Sequence, residues 1–125
     1  MAGYDLLPDE KVILQCNGNA YCQKSMGDLT LTDKRLIFVK RGMLFGKVKG
    51  VDYYELDQVI ITDGEPLIER VKVNLGAYIV RVGFTDRTVD FNIDYASSKS
   101  ASQWADMIYR VLTGREPPKK NAIAE

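Results

Sequence analysis

The chain has 125 residues, 46% hydrophobic and 27% charged, with 17 basic and 17 acidic side chains and a formal net charge of zero. That composition suits a globular chain with one core, and it excludes a disordered segment and a strongly basic nucleic-acid binder. No apolar run approaches the ~20 residues that span a bilayer. The opening MAGYDLLPDE carries acids early and no positive region, so a cytoplasmic chain without a secretory signal is expected.

After the lead-in YDLLPDE, KVILQC (11–16) reads as a strand running into the turn-rich NGNAY. DLTLT (28–32) alternates strictly, with Leu29 and Leu31 on one side and Thr30 and Thr32 on the other. The pair Asp33–Lys34 makes a tight connection into RLIFVKR (35–41), where Leu36 and Phe38 continue the buried face; together these form a β-hairpin. KVKGVDYYELDQVIIT reads as strand, bend and strand, and TDGEP (62–66) as a turn in which Gly64 supplies positive φ. In LIERVKVNL (67–75), Val71, Val73 and Leu75 share one face. AYIVRVGF (77–84) and TVDFNI (88–93) alternate in the same way. The spacing predicts roughly seven strands of a mainly β sandwich or barrel.

Only SASQWADMIYRVLTG has a helical period, with Ala101, Trp104, Ala105, Ile108 and Leu112 in one stripe over an expected helix at 98–113. Ser97, Ser98 or Ser100 is placed to cap its start, and Gly114 to end it in the left-handed region. A single domain is expected over 1–114, with 115–125 as a polar tail. Cys16 and Cys22 are the only cysteines and there is no histidine. The two sulfurs are placed to face each other across a short hairpin, and are expected to be free, reduced and without metal.

LLPDEKVIL followed by GDLTLTDKRLIFV resembles the opening of the GRAM and bacterial pleckstrin-homology-like families. Gly27, Leu29, Leu31, Thr32, Arg35, Leu36 and Phe38 stand at the matching positions of the hairpin, and YYELDQVIIT (53–62) and Trp104 fit as well. The resemblance implies a pleckstrin-homology-like barrel of about seven antiparallel strands in two packed sheets, capped by one C-terminal helix. It also implies a non-enzymatic binding module. Phosphoinositide-binding members of that superfamily carry several basic residues around the first hairpin; here only Lys24 stands there. Arg35 is expected to be a packed surface cation.

Catalysis has little support: the commonest general base is missing, and no phosphate loop, nucleophile elbow or paired-carboxylate motif is present. A small hydrolase is therefore disfavoured, and no cofactor is implied. The candidate site is KRGMLFGKVKG (40–50), the expected loop between the third and fourth strands. It sets Met43, Leu44 and Phe45 between two glycines and among the cations Lys40, Arg41, Lys47 and Lys49. Two readings are open: the apolar residues fold back over the barrel, or they meet a partner. The partner favoured is a protein or a second copy of the chain, with peripheral binding to an anionic membrane surface as the alternative and no role for nucleic acid.

Overall fold

The computed structural model of the chain describes residues 4–42 and 46–117. The alternating stretches form β1 (Val12–Cys22), β2 (Ser25–Thr32), β3 (Arg35–Arg41), β4 (Val48–Glu55), β5 (Ile61–Thr62), β6 (Glu65–Pro66), β7 (Ile68–Asn74), β8 (Ala77–Gly83) and β9 (Thr88–Ile93). One α-helix among the described residues, α1 (Ser98–Thr113), follows. Seven strands make one antiparallel sheet in the order β4-β3-β2-β1-β9-β8-β7, and β5 and β6 form a separate small hairpin. The sheet curls into a half-barrel closed by α1, as expected of a pleckstrin-homology-like fold, but it is continuous where two sheets were expected.

The continuity comes from β1. NGNAY is not a turn: β1 runs through it as one strand of 11 residues, with a register shift between Cys16 and Ala20. Gly18 takes φ +82° there, and its N–H donates to Asp28 Oδ1 at 2.7 Å. Asn-Gly chemistry serves a bulge as well as a turn, because both need a left-handed residue. Past the bulge, Ala20, Tyr21 and Cys22 pair with Gly27, Met26 and Ser25 on one side and with Ile93, Asn92 and Phe91 on the other. The chain reverses later, at Gln23 and Lys24, both at positive φ. Cys16 and Cys22 therefore lie on one strand rather than across a hairpin, and both are free and buried.

Leu29, Leu31, Leu36, Phe38, Tyr54, Val80, Val82, Phe91 and Ile93 fill the interior, with Trp104 and Ile108 of α1 as its plug. Tyr54 meets Phe91 edge-on at 5.4 Å between ring centroids. Gly27 lets β2 approach β3: a Cβ there would stand 1.9 Å from the Val39 carbonyl oxygen. Ser97 is the residue that caps α1, its Oγ accepting from the Ser100 N–H, and Gly114 ends the helix at φ +71°. Leu112 is only half-buried. Tyr109, absent from the expected stripe, is buried, and its hydroxyl donates to Glu65 Oε1 at 2.6 Å. Leu75 does not share the face of Val71 and Val73 in a strand; it sits in the β7–β8 turn, 95% exposed. Of the tail at 115–125, residues from 118 onward lie outside the described residues; Arg115 donates to the Gly64 carbonyl and to Glu65.

Candidate functional site

The hairpin residues that carry the sequence resemblance come together and are buried: Leu29, Leu31, Leu36 and Phe38 on the inner face, Thr32 and Arg35 on the outer one. Pro8–Asp9–Glu10 forms a turn in which the Glu10 N–H donates to the Leu7 carbonyl at 3.0 Å. This aims the Glu10 carboxylate at the β2–β3 turn, where Thr32 Oγ1 donates to Oε2 at 2.6 Å. Arg35 grips the same carboxylate with both ends of its fork, Nε to Oε2 at 2.9 Å and Nη2 to Oε1 at 3.0 Å. Arg35 also donates to the Asp5 carbonyl at 2.8 Å and stacks over the Tyr53 ring. The Glu10 side chain has no exposed surface and that of Arg35 has 8%. Arg35 is thus a buried lock rather than a surface cation, and the motif ties the lead-in to the hairpin.

Burial pushes the Glu10 carboxyl pKa up, but hydrogen bonds from Arg35, Thr32 and the Leu7 N–H outweigh it and leave the net value below the ordinary 4.5. The lock accounts for the burial of Thr32, one of the places where alternation failed on β2 and β3. Thr30 and Thr32 were expected outside, and Ile37 and Val39 share that outer face, yet all four are buried. The N-terminal segment lies over it, with Tyr4 Oη donating to Thr30 Oγ1 at 3.4 Å.

The candidate loop leaves the sheet between β3 and β4. Gly27 pairs with Lys40 and Arg41 with Val48, so the loop shares one end of the sheet with the β1–β2 turn and its Lys24. Its base is closed by the Gly42 N–H, which donates to the Lys47 carbonyl at 2.7 Å. Met43, Leu44 and Phe45 lie outside the described residues. The four cations separate into two kinds. Arg41 donates from Nε to Asp28 Oδ2 at 2.7 Å and from Nη1 to the Gly46 carbonyl at 2.9 Å. Lys40 Nζ stands 3.4 Å from Asp52. Among the described residues Lys47 and Lys49 have no ion pair and are exposed.

Beside the loop lies an apolar row that the sequence reading missed. Tyr21 pairs with Met26, Met26 falls level with Arg41 on the next strand, and Arg41 pairs with Val48. Tyr21, Met26 and Val48 are 41%, 41% and 45% exposed on the convex face of the sheet. The signal for Tyr21 and Met26 was their parity: each is an apolar residue out of phase with the inward set Ala20, Cys22, Leu29 and Leu31.

Two shallow hollows flank this end. One, ≈ 540 Å³, is lined by Tyr4, Gln15, Asn17, Gly18, Asp28, Thr30 and Arg41. The other, ≈ 600 Å³, is lined by Gln23, Arg81, Thr88, Val89 and Asp90. In each, the guanidinium is already held by a carboxylate, Arg41 by Asp28 and Arg81 by Asp90, both at 2.7 Å. A multiply charged headgroup would compete with those carboxylates. Among the described residues no cluster of three or more His, Cys, Asp or Glu is arranged around a metal position, and no helix is long and apolar enough to cross a membrane.

No curated protein matches the chain. A family model described as Bacterial PH domain matches residues 6–110. The matched span begins before the Glu10 lock, takes in β1 to β9 and runs along α1 to Arg110. Because it covers most of the 125 residues, the chain belongs to the bacterial PH domain family.

Proposed function

We propose that the chain is a non-enzymatic binding module that meets a protein through the rim formed by Tyr21, Met26, Val48 and the 40–50 loop. PH-like domains are generally non-enzymatic and mediate protein or lipid contacts, and the resemblance of the hairpin to GRAM domains points the same way. The observation that carries the reading is the exposed apolar row next to four loop cations, two of which are paired within the chain. An anionic membrane attracts a protein by ~1 kcal/mol per nearby cation. Asp28 and Asp52 offset that attraction for Arg41 and Lys40, two of the four loop cations. Exposed apolar surface with half of its neighbouring cations offset fits a protein-contact patch better than a membrane-docking one. The module would act in the cytoplasm as one domain over 1–114, with 115–125 as a tail.

A benzophenone amino acid at position 26, introduced in the native host and irradiated, tests this. The expected product is a protein adduct that disappears when Tyr21 and Val48 are changed to serine. Adducts to lipid alone would replace the reading with peripheral membrane binding, and absence of any adduct would remove the rim from function.

A further inference from the structure

We infer that the open edge of β4 pairs with the same edge of a second copy, extending the sheet through a two-fold axis at Asp52. The inference goes beyond the rim reading, because the β4 edge is a second contact surface on the same module. The sheet has two edges, and they differ. β7 carries Glu69, Arg70 and Lys72 along seven residues and has α1 packed near it, which are ordinary protections of an edge. β4 ends the sheet at the other side, and among the described residues its outer edge pairs with nothing. Its regular part, Val51–Glu55, is rich in strand-forming residues, and Val51 and Tyr53 keep partly exposed surface on the convex face.

Antiparallel pairing around a two-fold axis places residue pairs whose numbers sum to twice that of the central residue, on a common face. With Asp52 at the centre, Val51 lies opposite Tyr53 of the second copy, and Lys49 opposite Glu55 of the second copy. Symmetry repeats each pair. An apolar pair and an opposite-charge pair on each side of the axis make the edge complementary to itself. The central carboxylates are the one unfavourable meeting, and each has Lys40 Nζ 3.4 Å away to offset it. Lys49 is the extra residue of the shift between Lys40 and Arg41, and its long side chain is exposed. With a formal net charge of zero, two copies meet no long-range repulsion. The same edge on β7 would not serve: a two-fold axis at Arg70 or Val71 sets Arg70 opposite Arg70 or Lys72.

The test is sedimentation velocity and native mass spectrometry of the full chain and of three variants, Lys49→Glu, Glu55→Lys and the double swap. The wild type is expected to dimerise. Each single variant places like charges opposite each other twice, and dimerisation should weaken by about tenfold or more. The double swap should restore it, with thermal melts reporting that each variant is folded. Should Glu55→Lys fail to fold beside Arg35, slowed amide exchange at Val51 and Tyr53 on raising wild-type concentration gives the same answer. A wild type that stays monomeric into the millimolar range overturns the inference, while a rim adduct to another protein would still leave the module reading in place. A dimer indifferent to Lys49→Glu also overturns it, since an axis at Val51 would set Lys49 opposite Tyr53 instead.

Discussion

Glu10 is a carboxylate with no exposed side-chain surface, tolerable only because four donors converge on it. Removing one member leaves the other charge buried, so Arg35→Met or Glu10→Gln should cost about 3–5 kcal/mol in denaturant melts. Replacing both with apolar residues of similar size should recover much of that, and a double variant no better than the singles would deny that they act as a pair. The lock also gives stability a pH dependence. The folded carboxyl titrates below its ordinary 4.5, so its contribution is complete above that value and is lost as pH falls through the folded value. Melts from neutral into acid should show a decline that Glu10→Gln lacks. Cys22 sets a second residue-scale expectation. Burial drives its thiol up to about 11, with the Tyr54 hydroxyl 3.7 Å away, and burial raises the Cys16 thiol as well. Neither should alkylate in the native protein at neutral pH, and mass spectrometry should find both labelled in denaturant.

At the scale of elements, α1 was the most legible. Its period, its start among the serines and its glycine stop all stand in the sequence, because helix ends are set by local chemistry. Trp104 is 2% exposed, and Trp104→Ala should lower stability by about 3–5 kcal/mol; a melt within a few tenths of wild type would mean that the plug is not needed. Tyr109 escaped the stripe because its burial depends on Glu65 arriving from the distant β5–β6 hairpin, a tertiary fact with no local trace. Thr30, Thr32 and Arg35 escaped for the same reason, since the residues that bond to them precede β1. In β1 the error was one of chemistry shared by two structures, with Gly18 serving a bulge where a turn was expected. The connection inside 40–50 was legible from its glycines and charges, but its bounds were too wide, since Lys40 and Arg41 end β3 and Val48, Lys49 and Gly50 begin β4. That Asp28 and Asp52 would neutralise two of those charges was not legible, because the partners come from β2 and from β4, at registers the residue pattern alone does not set.

For the whole molecule, the two groups of strands meet in the sheet only where Ala20, Tyr21 and Cys22 face Ile93, Asn92 and Phe91. The covalent link between them passes through Asp63 and Gly64, both at positive φ in the exposed turn of the β5–β6 hairpin. A backbone cut there would yield one piece holding Leu29, Leu36, Phe38 and Tyr54, and another holding Val80, Phe91 and Trp104. Each piece has half an interior and can bury it only against the other. The domain is in this sense a ready-made split reporter, in which any signal placed on the two fragments records β1 finding β9.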